Sequence, residues 1–364
     1  IEFEDTIIVI DAGLEFPGED APGVDYIIPD TTYLEQRKHK VKAMIVTHGH
    51  LDHIGGIPYV MEKIGNPIIY TSLLTAVMMK KRQEEFPHSP KLNIQVLNKY
   101  ENQKIGSLSI EFFASTHTIP DSMGVVVHTP FGKIISTGDI KINHRDGVPE
   151  PDEVATFDKL AEGQNLVLIA DSTNVWKSGF SYSEREVHEN VGKIIKDIKG
   201  RLFVGTFASL LERIIYVVKV AEELGKKVVV EGRSMKNNID IARELGILQV
   251  RKETIIPAEE MDNYPDNKLI ILATGAQGDE FAALMRLATK EHRQIKIKKI
   301  DFIKSDTQGF EKMIFLGAQQ LLDTYKPTLM FEYWRKHPFV LENYFLYEID
   351  EYVQTLKPLD NIST

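Results

Sequence analysis

Four side chains able to ligate a metal ion, His48, His50, Asp52 and His53, fall within six consecutive positions of the stretch VTHGHLDHIGG. Imidazole and carboxylate donors suit Zn²⁺ and also Mn²⁺. In an extended segment residues two apart point the same way, so His48 and His50 can grip one ion. Asp52 and His53 lie past the turn and can reach a second ion. Gly55-Gly56 removes side chains where the backbone must pass close by. A single histidine is most often a satisfied core or surface residue, but four donors in six positions after an apolar strand ask for another explanation. Two further candidates stand at strand ends, His117 in STHTIPDS and Asp139 in STGDIK. Asp11, at the end of a neighbouring strand, is well placed to hold a ligating histidine from behind.

These residues need a scaffold that brings strand ends to one rim. Up to about residue 180 the chain shows short apolar runs that stop at polar corners. They are Thr6–Ile10 before Asp11, Ala43–Thr47 before His48, Ser109–Ser115 before His117, and Leu166–Ala170 before Asp171. Gly124–Thr129 and Lys133–Thr137 flank Pro130-Phe131-Gly132 as a hairpin, and the second of them runs into Gly138-Asp139. Helical periodicity falls at Ile57–Ile64 and Leu74–Glu85. From about 181 the rhythm becomes a regular alternation of helices at Glu184–Ile198, Leu210–Leu224 and Asn238–Leu245 with strands at Leu202–Thr206, Lys227–Glu231 and Lys268–Ala273. That pattern predicts βαβ units and a parallel sheet. The loops TFASLLER, EGRSMKNN and ATGAQGDE open onto helix N-termini, where backbone N–H groups can cradle phosphate. After about 298 come a strand at Asp301–Ser305, a helix reaching Asp323 and a strand at Thr328–Tyr333.

The chain has 364 residues, a net charge of −10 and no cysteine, which removes disulfides, thiolate metal sites and a cysteine nucleophile. The cysteine count fits a reducing cytoplasm, and no apolar run reaches the roughly 20 residues a membrane span requires. The acidic balance argues mildly against a nucleic-acid partner, although only a groove need be positive. The chain opens at Ile1 in mid-strand with no secretory signal, so an upstream start is expected.

The order Asp11, then H-x-H-x-D-H, then His117, then Asp139 resembles the metallo-β-lactamase fold. DAGLEFPGEDAPGVDYIIPDTTYL, VTHGHLDHIGGIPY, HTIPDSMGVVVHTPFGKIISTGDIK, ADSTN, VGTFASLLERI, EGRSMKNN, ATGAQGDEFAALMRLA and KEHRQIKI are similar to the ribonuclease J family, in the β-CASP branch of that superfamily. The resemblance covers about 1–298. It implies an α/β architecture: an incomplete αββα metallo-β-lactamase sandwich over 1–180, then a β-CASP parallel-sheet domain over 181–298. By the same resemblance His48, His50 and His117 would ligate one ion, Asp52 and His53 the other, with Asp139 bridging. Asp52, His53 and Asp171 would act in catalysis, while Ser209, Arg233, Ser234, Gly275 and Gln277 would line the RNA path. The implied function is 5′-to-3′ exonuclease and endonuclease action, in which a metal-bound hydroxide hydrolyses RNA phosphodiesters. Two divalent ions are implied, Zn²⁺ first and Mn²⁺ or Mg²⁺ next. The implied partner is single-stranded RNA with a 5′-monophosphate, with a homodimer left open and a cytoplasmic setting.

The sequence departs from that family at about Lys299. Two further histidine motifs, one of which would close the second metal site, have no match here, and beyond Arg293 only His337 remains. Residues 299–364 instead resemble the C-terminal third of FkbM-type methyltransferases, through DFIKSDTQGFEKMIFLGAQQLL, YKPTLMFEYW and YFLYEID. Nothing upstream of them supplies a Gly-rich S-adenosylmethionine loop. Two alternatives to an active nuclease remain. One is a non-catalytic RNA- or metal-binding remnant. The other is a different hydrolase of this fold acting on a thioester or lactam, which the long αβ insert disfavours.

Overall fold

The computed structural model describes residues 1–17, 21, 23–173, 175–176, 178–275, 283–288, 292–295, 302–305, 315, 319–331, 347–350 and 355–358. The chain divides into two compact units. One comprises Ile1–Lys199, Ala208–Lys226 and Lys236–Thr254, the other Gly200–Phe207, Lys227–Met235 and Ile255–Thr364.

In the first unit β1 (Glu2–Phe3), β2 (Thr6–Ile10), β3 (Val41–Ile45), β4 (Ile68–Thr71) and β5 (Ile94–Val96) form one sheet in that order. It is parallel from β2 to β5, with β1 antiparallel at the edge. A second sheet is built from β6 (Asn102–Ile105), β7 (Leu108–Ala114), β8 (Met123–Thr129) and β9 (Gly132–Ser136) as an antiparallel meander. After a small hairpin of β10 (His144–Arg145) and β11 (Val148–Pro149), β12 (Asn165–Ile169) joins the edge of that sheet parallel to β9.

Side-chain alternation along the strands separates two cores. Ile8, Ala43 and Ile45 face Ile110, Phe112, Val125 and Val127 of the second sheet. Their neighbours Ile7, Met44 and Val46 turn the other way. They meet Ile54, Ile57, Val60, Met61 and Met79 from α2 (Leu51–Ile54), α3 (Ile57–Val60), the turn after it and α4 (Leu73–Gln83). On the far face of the second sheet Phe113, Val126 and Ile135 pack with Leu160 of α5 (Pro151–Ala161). The layers therefore run helix, sheet, sheet, helix, as expected. α6 (Glu184–Asp197) and α7 (Leu211–Glu223) complete the part that concerns the site. α6 begins with a capping box between Ser183 and Glu186, which satisfies backbone donors that a helix start would leave unpaired.

In the second unit β13 (Leu202–Gly205), β14 (Lys227–Glu231) and β15 (Leu269–Ala273) form a parallel sheet in the order β13-β15-β14. Val229, Leu269, Ile271, Ala283, Leu287 and Ile295 build its core, and the sheet is parallel as the alternation predicts. Phe302–Ser305 pairs in parallel with Thr328–Phe331, and Tyr347–Asp350 pairs antiparallel with Thr355–Pro358.

Two helix boundaries differ from expectation. The helix expected over 57–64 is regular to Val60 and continues as turns to Gly65, where Gly65 and Asn66 take positive φ (94° and 51°) and end it. The helix expected from Asn238 begins at Arg233, immediately after Gly232 turns with φ 120°.

Candidate metal centre

The strand β3 leads the chain to Thr47, whose two donors are both directed at Asp11. The Thr47 backbone N–H donates to Asp11 Oδ1 at 2.8 Å and its hydroxyl donates to Asp11 Oδ2 at 2.9 Å. With that proton committed, Thr47 Oγ1 can accept from His48 Nδ1 at 3.1 Å, leaving His48 Nε2 as a bare donor. Asp11 Oδ2 also takes His53 Nδ1 at 2.8 Å, so His53 likewise offers Nε2. His50 is turned round: its Nε2 donates to the Ser209 carbonyl at 3.2 Å and Nδ1 faces inward. A carbonyl only accepts, which assigns that tautomer. Among the described residues the buried His117 Nδ1 meets no hydrogen-bond partner, and the ring meets the cluster through Nε2.

These nitrogens converge. His50 Nδ1 lies 3.0 Å from His48 Nε2 and 3.2 Å from His117 Nε2. Asp139 Oδ2 stands 3.6 Å from His117 Nε2 and 4.0 Å from His48 Nε2, while its Oδ1 is 3.1 Å from His53 Nε2. Asp52 Oδ2 lies 3.5 Å from the same His53 nitrogen. Two groups of donors result. One is His48, His50, His117 and Asp139, the other Asp52, His53 and Asp139, each with its donor atoms within 4.8 Å of one another. Asp139 belongs to both. Inward lone pairs on three neutral imidazoles repel at such separations unless a cation lies among them, so the residues fit a divalent ion of the zinc type. Among the described residues no further histidine joins the second group.

Electrostatics agree with that fit. Burial, reinforced by neighbouring histidines, holds His48 far below the ordinary imidazole range and brings His117 down to about 4. Burial also lowers His50. These rings are neutral at pH 7, the form a metal requires. His53 behaves oppositely. Burial disfavours its charge, but Asp11, Asp139 and Asp52 outweigh this and push it up to about 12. Carboxylates crowded around one nitrogen call for a cation there, and a proton on Nε2 and a metal ion at Nε2 exclude each other. Asp52 is lowered by its hydrogen bond to His53 and is ionised, with its side chain 64% exposed.

Close backbone packing puts the donors in register. A Cβ on Gly13 would fall 1.7 Å from the Asp52 carbonyl oxygen, and one on Gly56 would fall 2.4 Å from that of Gly13. The Gly56 N–H donates to the Ala12 carbonyl at 2.9 Å. The glycine pair therefore lets α2 dock against Ala12-Gly13, which sets Asp52 and His53 beside Asp11.

Residues 1–175 match the metallo-β-lactamase superfamily, 199–308 the ribonuclease J β-CASP domain, and 280–358 the methyltransferase FkbM domain. The chain is 37% identical over 303 residues to ribonuclease J of Mycoplasma pneumoniae and 41% identical over 310 residues to ribonuclease J of Thermus thermophilus. Each alignment takes in 83% of this chain and 53% of the relative. This chain is a ribonuclease J homologue. It spans about half the length of the ribonuclease J proteins it matches, the Synechocystis one included (39% identity, 47% of its length). A crystal structure of a protein of unknown function from Enterococcus faecalis shares the fold, with a TM-score of 0.59 at 17% identity over 91% of this chain and 83% of that one.

Other residues singled out by the ribonuclease J resemblance fall in different places. Asp171 joins neither donor group. Its Oδ1 accepts from the Thr173 N–H and hydroxyl at 2.8 and 2.7 Å, and its Oδ2 from the Ile140 N–H at 3.3 Å. Burial pushes its carboxyl up, but those hydrogen bonds outweigh this and hold it below the usual carboxylate range, so it is ionised. Ser209 contributes its carbonyl to His50. Arg233 and Ser234 lie exposed in the first turn of α8 (Arg233–Glu244) rather than in a loop. Gly275, with φ 111°, follows β15. Gln277 and His337 lie outside the described residues.

Sequence reading passed over several residues that the site uses. Thr47 looked like the last residue of a strand. Glu184, 3% exposed, stands in the first turn of the amphipathic helix read at Glu184–Ile198, and Glu153, 7% exposed, lies in α5, for which no helix was expected. Beside His117 a cavity of about 540 Å³ opens, walled in part by Lys99, Asp121, Asn143, Arg185, His188 and Glu212. Burial, aided by the Glu184 charge, raises Glu212 to about 7.

Proposed function

We propose that this chain is the catalytic part of a metal-dependent ribonuclease with 5′-to-3′ exonuclease and endonuclease action. The observation that carries it is the pair of donor groups sharing Asp139, in a chain homologous to ribonuclease J across both of its matched domains. The donor atoms suit Zn²⁺ first, then Mn²⁺. Two divalent ions held there would supply Lewis acidity and an activated water for phosphodiester hydrolysis. His48, His50 and His117 would hold one ion, Asp52 and His53 the other, with one Asp139 oxygen directed to each. Asp11 keeps His53 protonated at Nδ1, and Thr47 does the same for His48, so neither ring can turn over. Asp52 is ionised and open to solvent, so its oxygen not facing His53 can take a proton from water entering the site. Ser209, Arg233, Ser234, Gly275 and Gln277 are assigned to the RNA path, with single-stranded RNA bearing a 5′-monophosphate as the substrate.

Purified protein should contain two metal ions per chain and cleave 5′-monophosphorylated RNA with Mn²⁺ or Zn²⁺, and His48→Ala should abolish cleavage. Fluorogenic thioester or lactam turnover without RNA cleavage would overturn the assignment. One specific observation favours a second reading. The second donor group has three residues against four in the first, which suits a chain that binds one ion and RNA without turnover. One metal per chain, RNA binding and no cleavage would establish that reading.

A further inference from the structure

Two buried carboxylates that belong to neither donor group grip the loops carrying His117 and Asp139. Glu153 Oε1 accepts from the Thr116 hydroxyl at 2.6 Å and from the Asn143 N–H at 3.1 Å. Glu184, whose side chain is 4% exposed, takes Lys141 Nζ at 2.6 Å and the Arg213 guanidinium at 2.7 and 2.9 Å. The two loops are also tied to each other. The Lys141 N–H donates to the Thr116 carbonyl at 2.7 Å, and the Ser115 hydroxyl donates to the Asp139 carbonyl at 3.1 Å.

The placement of these contacts is specific. Thr116 adjoins His117, and Lys141 is two residues beyond Asp139. Arg213 is four residues beyond Ser209, whose carbonyl meets His50. Residues 115–117 and 139–143 carry no strand or helix, so only isolated backbone bonds, such as that from Lys141 to Thr116, hold them besides side chains. Burying a carboxylate is costly unless it is fully paired, and both pairs end beside a donor residue. A ligand cluster binds tightly only when its donors are held near the coordinating geometry before the ion arrives.

We propose that Glu184 and Glu153 are positioning residues, which fix the spacing of His117, Asp139 and His50 and thereby set the metal affinity of the cluster. The proposal rests on reading that cluster as a metal centre. Glu184 does this through Lys141 and Arg213, and Glu153 through Thr116 and Asn143.

The test uses Co²⁺ as the probe, titrated into the metal-free full chain, with its visible absorption band, its dissociation constant and the melting temperature recorded. Glu184→Gln, Glu153→Gln and Lys141→Gln should each weaken Co²⁺ binding at least tenfold and change the band. Glu189→Gln, on the exposed side of α6, should leave both unchanged, and Phe113→Leu should lower the melting temperature without altering the band. Lys141→Gln decides the matter if Glu184→Gln does not fold, since it leaves Glu184 paired with Arg213. Folded variants with the parental band and affinity overturn the proposal, as does a band shift of equal size in Phe113→Leu. A parent chain that binds no Co²⁺ removes the metal centre and this inference together. None of these readouts involves RNA cleavage, so the proposal can fail while the nuclease reading stands, and the reverse.

Discussion

A single oxygen, Asp11 Oδ2, takes the Nδ1 of His53 at 2.8 Å and the hydroxyl of Thr47 at 2.9 Å, and that hydroxyl lies 3.1 Å from His48 Nδ1. One carboxylate thereby orients a histidine in each donor group. Asp11 does so from a left-handed backbone conformation, φ 58°, which aspartate and asparagine tolerate better than most residues. Asp11→Asn keeps that backbone but replaces one of the two acceptor oxygens with an NH2 group, which must face a donor of Thr47 or His53. Metal affinity should fall by about 10–100-fold at both groups, read by calorimetric titration of Zn²⁺ into metal-free protein. Loss at the His53 group alone would show that Thr47 orients His48 without help.

Gly13 sits where a methyl group would strike the Asp52 carbonyl. Gly13→Ala should push α2 away and carry Asp52 and His53 with it, while His48 and His117 stay on their own strand ends. The expected result is one metal bound per chain instead of two, measured by atomic emission on dialysed protein. Two metals retained would mean that the loop yields without moving α2.

Two glutamates should bend the pH–stability curve in opposite senses. Burial disfavours the Glu184 charge, but Arg213 and Lys141 outweigh this and lower it from 4.5 to about 2. Its contribution is therefore full above 4.5 and lost as pH falls from 4.5 towards 2. Glu212 is raised from 4.5 to about 7 by burial and by Glu184. There the folded state holds a proton that the unfolded state has released, so stability falls as pH rises from 4.5 to 7. Glu212→Gln should remove that decline and stabilise the protein by about 1–2 kcal/mol at pH 8, by urea unfolding. A parental pH slope in that variant would refute the assignment.

Phe112 is fully buried between the two sheets of the first unit, among Ile8, Ile45, Ile110 and Val125. Phe112→Ala leaves a cavity and should cost about 3–5 kcal/mol in denaturant unfolding. Less than about 1 kcal/mol would mean that the sheets close over the gap.

Metal removal should be visible without any enzymatic assay. An ion bound only by the folded chain stabilises it by mass action, about 2.7 kcal/mol at a hundredfold excess over its dissociation constant. Chelation should accordingly lower the melting temperature of the parent chain and not that of a His48→Ala/His117→Ala double variant. Equal shifts in both proteins would place the bound metal elsewhere.

The donor residues and their layered support were legible in the amino-acid order because both signals are local. His48, His50, Asp52 and His53 lie within six consecutive positions, and short apolar runs mark β2 and β3, although which of their side chains faces which core only the structure shows. His117, Asp139 and Asp11 were legible for a related reason: each follows directly on an apolar strand. Tertiary structure alone decided how those donors are held. Ser209 meets His50 across 159 positions, Arg213 meets Glu184 across 29, and Glu184 meets Lys141 across 43. No local pattern encodes such pairs, since they depend on where whole elements come to rest. Asp171, which the resemblance assigns to catalysis, depends in part on such a long-range pair. Its Oδ1 accepts from Thr173 within the loop after β12, but its Oδ2 accepts from the Ile140 N–H, 31 positions away on the segment after β9.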